Sequence, residues 1–356
     1  MTTAPRPTWP DAETVWSSND RALEMVRAVL GSVDAPVGLT PKELIWRKNK
    51  ARLYRYVRTE PATHRTPIFL VLPLINRAYI LDLRPGASFV EFLLSEGHDV
   101  FLIDWGTPGD EDRALDVTTL VTRYLPRAAR AIQRASGADQ ITVLGYCIGG
   151  VLATCFAALH PDVTRNLVLL TAPLDFSDAG QFGRMTARGS FPIDRLTETF
   201  PTVPGQVPDI GSKLLNPMAS YVGTYRQLWE KLADPSFDVR GWQAMYRWVN
   251  DSVPFAGAAF RQWIVEFYQE NRLALNGLEM DGRPVRLDAI HCPVLNIAAS
   301  RDAIAPRATT SIVTERVSSA DASEILIEGG HVGIVVGRAA SQNLWPKVGA
   351  WLSTHD

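Results

Sequence analysis

The sequence predicts an α/β fold: a mostly parallel, doubly wound sheet interrupted by one helical insertion. Three observations carry this reading. Nearly continuous apolar runs at 68–72, 100–103, 141–144 and 167–170 have the pattern of strands buried on both faces. Helical spacing appears between them, as at Val117, Leu120, Val121, Tyr124, Ala128 and Ile132, and this alternation belongs to parallel sheets. The alternation stops near Asp175 and resumes at Pro293. The stretch between holds Trp229, Trp242, Trp248, Trp263 and several prolines, with helical and irregular patterning.

The elements follow in chain order. Residues 18–31 form an amphipathic helix. Ser18 or Asn19 caps it, Leu23, Val26, Val29 and Leu30 make its apolar stripe, and Gly31 stops it. The stripe is expected to pack on the body of the protein, with partner binding as the alternative. Strands are expected at 53–57 and 68–72, a helix at 90–94, and a strand at 100–103. A helix over 117–132 contains Pro126, a predicted kink. The strand at 141–144 leads to a helix at 151–159, and another strand lies at 167–170. After the insertion come strands at 293–298 and 324–327, and a last helix holding Leu344, Val348, Trp351 and Leu352. The predicted division is an N-terminal extension (1–40), a sheet domain (41–175 and 286–356) and an inserted cap (176–285). Insertions of this kind sit at the carboxyl ends of the strands, over the site. The tryptophans exceed what covering one small site requires, so the cap is expected to move and to mediate self-association or partner contact, with a self-contained cap core as the alternative.

A chain of 356 residues can bury a full core. Its net charge of −2 gives no basic field for nucleic acid. Three cysteines, Cys147, Cys155 and Cys292, do not make a disulfide framework and fit a reducing cytoplasm. Residues 1–16 lack an apolar core, so no signal peptide is expected, and no run is long enough to be a transmembrane segment.

The chemistry centres on Gly145-Tyr146-Cys147-Ile148-Gly149-Gly150, which an apolar strand enters and a small-residue helix leaves. This context is that of the nucleophile elbow of the α/β-hydrolase fold, with cysteine where most such enzymes hold serine. Gly145 and Gly149 let strand and helix pass closely around a strained residue. The chain order of that fold is nucleophile, acid, histidine. Asp302 follows the strand 293–298, and His331 follows the strand 324–327. The other histidines (His64, His98, His160, His291 and His355) do not follow the last strand. Asp104 and Asp175 compete with Asp302, since each lies at or after a strand end; Asp104 reads as structural. Cys155 and Cys292 read as core residues. The oxyanion donors are expected to be the backbone N–H of Ile148 and one from the loop 74–76, with Ile75 favoured. No cofactor and no metal is called for. A cysteine nucleophile exchanges thioester for thioester, so the acyl group stays activated and favours acyl transfer over hydrolysis.

The chain resembles the catalytic subunit of polyhydroxyalkanoate synthases. The resemblance rests on the run Leu74-Ile75-Asn76-Arg77-Ala78-Tyr79 through Gly86, on Leu102-Ile103-Asp104-Trp105-Gly106 and on the elbow. It extends to Phe260-Arg261-Gln262-Trp263, Phe267-Tyr268-Gln269-Glu270-Asn271 and Gly329-Gly330-His331-Val332-Gly333. The short N-terminus, and Thr40-Pro41-Lys42-Glu43 leading to Leu53-Tyr54-Arg55-Tyr56, look like the two-component class III type, with class IV related. The resemblance implies that Cys147 holds the growing chain, His331 is the base, and Asp302 orients it or helps activate the substrate hydroxyl. It also implies an (R)-3-hydroxyacyl-coenzyme A substrate, 3-hydroxybutyryl foremost, and release of coenzyme A. A homodimer or second synthase subunit, and a place at the surface of cytoplasmic polyester granules, are implied too. The rival readings are a cysteine-dependent thioesterase or polyester depolymerase, and a non-catalytic granule-associated paralogue.

Overall fold

The structure, a computed structural model, describes residues 12–337 and 339–356, with residues 12–17 described by backbone alone. Most of the stretch read as free of a signal peptide lies outside these residues.

Eight strands form the central sheet. In chain order they are β1 (Lys42–Lys48), β2 (Ala51–Tyr56), β3 (Ile68–Val71), β4 (Val100–Asp104), β5 (Ile141–Tyr146), β6 (Thr164–Leu170), β7 (Val294–Ala299) and β8 (Ala322–Ile327). Their spatial order is β1-β2-β4-β3-β5-β6-β7-β8. β2 is antiparallel to both neighbours, and every other pairing is parallel. Central strands β3 and β5 are buried at every residue, as their apolar sequences require. β1 was not expected from the sequence. It reads Lys-Glu-Leu-Ile-Trp-Arg-Lys, with the charges that shield a sheet edge from further pairing.

The helices that matter for the site are α1 (Ala12–Gly31), α2 (Phe89–Ser95), α3 (Leu125–Ser136), α4 (Ile148–Leu159), α5 (Val239–Asn250), α6 (Gly257–Gln262) and α7 (Trp345–Thr354). Ser88 caps α2, its hydroxyl accepting from the Glu91 amide at 3.0 Å. Pro126 causes no break. Leu120–Tyr124 winds as a π-helix directly before α3, which places Pro126 in the first turn of α3, where a missing N–H is harmless. Every residue of α4 is buried, in keeping with its apolar character all round. At about 1.5–3 kcal/mol for each large side chain, Val151, Leu152 and Phe156 anchor this helix firmly beneath the elbow.

α1 begins at Ala12, ahead of the expected Ser18, and the face it buries is not the expected stripe. Leu23, Val26 and Leu30 are exposed. The buried contact is with α5 of the insertion and uses small residues. Gln243 Nε2 donates to the Ala28 carbonyl at 3.1 Å, and a Cβ on Gly31 would meet that nitrogen at 2.5 Å. Close helix approach selected Ala28 and Gly31, which a search for large apolar side chains passes over.

The insertion leaves the sheet after β6 and is tied at its base. Asn271 Oδ1 accepts from the Phe176 amide at 2.9 Å, and Asn271 Nδ2 donates to Asp175 at 2.8 Å. Asp175, a rival for the catalytic acid, thus serves at this closure. Among the described residues no helix is long and apolar enough to cross a membrane.

Candidate active site

The register of the sheet brings the carboxyl ends of its strands into one row. Val71 pairs with Gly145, Gly145 with Leu169, Ile297 with Leu170, and Ala299 with Ile327. The residues that follow these ends therefore meet on one edge. Cys147 follows β5 at the start of α4 with φ 54° and ψ −128°, a strained conformation for a residue with a side chain. The glycines around it are steric necessities. A Cβ on Gly149 would lie 2.1 Å from the Val71 carbonyl oxygen, and one on Gly145 would lie 2.4 Å from the Gly150 Cα. Gly150, whose added Cβ would meet the Ala172 Cβ at 2.4 Å, is a third such position.

Asp302 and His331 arrive from the loops after β7 and β8. His331 Nδ1 and Asp302 Oδ2 are 2.7 Å apart, and both side chains are buried. The other oxygen, Asp302 Oδ1, accepts from the amides of Ile304 and Ala305, each at 2.8 Å. A carboxylate held by two amides cannot rotate away from the imidazole. The two loops are joined by the Arg301 amide, which donates to the Gly329 carbonyl at 2.9 Å. Cys147 and His331 line the same cleft, and Asp302 holds the imidazole from its Nδ1 side. Burial is the strongest single effect on His331 and disfavours its charge. Cys147 and Asp302, by charge and hydrogen bonding, together outweigh it and push His331 up to about 10. By contrast burial pushes the Cys155 thiol up to about 12 and the Cys292 thiol up to about 11. Neither is suited to thiolate chemistry. Asp104 accepts from the Gly106 amide at 2.9 Å, a structural turn contact.

Tyr146 is a contributor that its place in the motif did not announce. Its hydroxyl donates to the His331 carbonyl at 3.4 Å, and its ring lies 5.4 Å from the imidazole. Burial, with Cys147 and Asp302 facing it, keeps this hydroxyl well above its ordinary range, so it remains a donor.

Cys147 opens onto a cleft of about 1070 Å³, counting the space open to solvent. Ile75 and Ile148, the expected oxyanion residues, both line it. As the first residue of α4, Ile148 has an amide with no partner inside the helix, at the positive end of the helix dipole. The Ile75 loop is held by the insertion. The Val253 amide donates to the Ile75 carbonyl at 2.9 Å, and Trp248 Nε1 donates to the Arg77 carbonyl at 2.9 Å. Asp251 accepts from Arg77 Nε at 2.9 Å and from the Tyr79 hydroxyl at 3.0 Å.

The insertion roofs this cleft with Phe182, Trp248, Phe255, Phe260, Trp263 and Tyr268. Trp248 and Trp263 are therefore buried wall residues of the cleft. For Trp263 the inward direction agrees with helical spacing: Phe260, Trp263, Ile264 and Tyr268 lie on one apolar face. The exposed apolar side chains of the insertion are others, among them Met218, Tyr221 and Val222.

Residues 17–93 match the family model described as the N-terminus of poly-beta-hydroxybutyrate polymerase (PhaC), and residues 83–337 match that of the alpha/beta hydrolase fold. The poly(3-hydroxyalkanoate) polymerase subunit PhaC of Allochromatium vinosum is 35% identical over 318 residues, which cover 89% of each chain. The chain belongs to the PhaC family. The subunit of the same name from Haloferax mediterranei is 36% identical over 321 residues, 90% of this chain and 65% of that one. A monoacylglycerol lipase of Paleococcus ferrophilus shares the fold at 17% identity, with a TM-score of 0.54 over 85% of this chain and 99% of that one. As a PhaC-family enzyme the chain is a polyester polymerase, an acyltransferase. Its PhaC motifs fall into the architecture just described. The stretch 74–86 is the loop clasped by the insertion, and the stretch 260–271 supplies the roof and its base.

Proposed function

We propose that this chain polymerises (R)-3-hydroxyacyl thioesters of coenzyme A through an acyl intermediate on Cys147, with His331 as general base and Asp302 as its positioning residue. The observation that carries the reading is Cys147 on a strained elbow, facing an apolar cleft that His331, paired with Asp302, also lines. The Cys147 sulfur attacks the thioester carbonyl, the C–S bond to coenzyme A breaks, and coenzyme A leaves as its thiol. The 3-hydroxyl of the next substrate then gives its proton to His331 and attacks the acyl-cysteine carbonyl. An ester C–O bond forms and the bond to Cys147 breaks, returning the proton to the thiolate. The lengthened chain, now on coenzyme A, is taken back by Cys147 through the first step. One imidazole serves both steps by accepting and returning a proton. The amides of Ile148 and Ile75 would stabilise both oxyanions. No cofactor takes part, since coenzyme A enters as part of the substrate. A second copy or a second synthase subunit, and the cytoplasmic granule surface, complete the reading, because the product is an insoluble polyester.

The test is incubation with 3-hydroxybutyryl-coenzyme A, following thiol release and polymer. Wild-type protein is expected to release coenzyme A continuously and to form polymer. Cys147→Ala is expected to release none and to take up no label from an alkylating reagent in the cleft. Monomeric acid without polymer would replace this reading with that of a cysteine hydrolase. Polymer from Cys147→Ala would overturn the assignment of the nucleophile.

A further inference from the structure

A second pocket opens on the same edge of the sheet, over β2 and β4 and beside the catalytic cleft. Its empty space is about 470 Å³, counting the space open to solvent, and Leu74, Trp105, Leu115, Leu120, Phe255 and Ala259 form its apolar wall. One side chain, Phe255, lines both spaces. Phe255 is buried and packs edge-on against Phe260, with ring centroids 5.4 Å apart. The chain neighbours around it divide in the same way. Leu74 lines the second pocket and Ile75 the cleft, while Ala259 lines the second pocket and Phe260 the cleft. The partition is one residue thick.

The lip of this pocket has polar groups, but each is already engaged. Lys50 Nζ pairs with Asp112 at 2.9 Å and also with Glu111. Asn49 Nδ2 donates to the Tyr124 hydroxyl at 2.8 Å. A neutralised lysine offers little to a phosphate, so the pocket suits an uncharged apolar ligand and not the nucleotide part of coenzyme A.

We propose that this second pocket binds the polyester chain leaving Cys147, with Phe255 as the movable partition between cleft and pocket. The proposal rests on the acyl-cysteine reading above. Cys147 is 8% exposed beneath the insertion, so the attached end of the chain is held inside. Each cycle adds a unit at that fixed end, and each cycle must also admit a fresh coenzyme A thioester through the cleft. A chain filling the cleft would block that entry. An adjoining apolar pocket of the same sheet edge removes the conflict, because the chain slides out on one side while substrate enters on the other. The polyester has ester carbonyls but no charge, which matches an apolar wall with a self-satisfied rim.

Leu115, half-buried at the pocket and away from Cys147, is the place to test this. In Leu115→Trp the first equivalent of coenzyme A is expected to appear as in wild type, because acylation of Cys147 does not need the pocket. Continued release is expected to fall about tenfold, and the polymer to shorten. Leu115→Ala widens the same space and is expected to lengthen the polymer. Loss of the first equivalent in every protein, wild type included, would remove the acyl-cysteine reading itself. A normal first equivalent with unchanged rate and polymer length in Leu115→Trp would overturn the pocket alone. Where the tryptophan variant does not fold, the alanine variant decides: altered polymer length supports the pocket and unaltered length overturns it.

Discussion

Two buried histidines sit at opposite edges of one sheet and have opposite electrostatics. His331 follows β8 at the carboxyl edge and faces Asp302 at 2.7 Å. His98 precedes β4 at the amino edge, is 2% exposed, and has no hydrogen-bond partner for either ring nitrogen. Its ring stacks on His64 with centroids 4.0 Å apart, and its backbone N–H donates to the Leu93 carbonyl at 3.1 Å. Burial lowers His98 to about 4, His64 adds to the effect, and Asp356 opposes it. Burial acts in the same direction on His331, but there Cys147 and Asp302 reverse the outcome. Burial alone makes a histidine a neutral filler. A fixed carboxylate and an adjacent thiol make one that can carry a proton on demand. The edge proposed for chemistry is the one where such partners lie together.

The largest expected effect comes from breaking that assembly. Asp302→Asn leaves the Ile304 and Ala305 amides an acceptor but removes the charge facing His331. Coenzyme A release is expected to fall by on the order of 10³–10⁴, with little change in folding, because the imidazole loses its orienting partner. A loss below about tenfold would mean that the Cys147–His331 pair works alone, as a dyad. Gly149→Ala comes next. Its Cβ would lie 2.1 Å from a backbone oxygen of the neighbouring strand end, where nothing flexible can yield. Destabilisation by about 3 kcal/mol is expected, read by urea unfolding, because either β3 or α4 must shift. Unchanged stability would show that the elbow is less tightly framed than these contacts require.

The contrast between the edges also explains what was legible in the sequence. Parallel strands announce themselves as apolar runs, so β3 to β8 could be placed to within a few residues. The shared edge of Cys147, Asp302 and His331 could be placed because each directly follows such a run. β1 could not, since an edge strand is stabilised by pairing and advertises charge. The buried face of α1 could not, because Ala28 and Gly31 are chosen by close approach to α5 and carry no hydrophobic signal. The inward turn of Trp248 and Trp263 depends on a roof built from distant helices, though the spacing of Phe260, Trp263, Ile264 and Tyr268 held a hint of it. The clasp of Arg77 and Tyr79 on Asp251 spans residues far apart in the chain and leaves no local pattern.

The smallest expected effect separates the two histidines by pH. The native pKa of His331 is raised, from 6.5 to about 10, so its contribution to stability is complete below 6.5 and is lost as pH climbs toward about 10. The native pKa of His98 is depressed, from 6.5 to about 4, so its penalty appears on the other side: stability falls as pH drops from 6.5 toward about 4. The groups facing His98 are His64, itself 3.6 Å from Asp356, and the Asp356 carboxylate, which also accepts from the Arg65 and Thr66 amides. His98→Phe keeps a ring for His64 to stack on and removes both orphaned nitrogens. It is expected to stabilise the protein by about 1 kcal/mol at neutral pH, because buried polar atoms without partners are costly. The gain is expected to grow at about pH 5, since phenylalanine takes no proton in the unfolded chain. Unfolding curves at the two pH values measure both. A variant with the wild-type acid limb would place the proton uptake on another group, and the amino edge would lose its claim to be the acid-sensitive one. An acid limb that flattens while the loss toward about pH 10 is retained would show that burial without a partner and burial with one act separately in the same sheet.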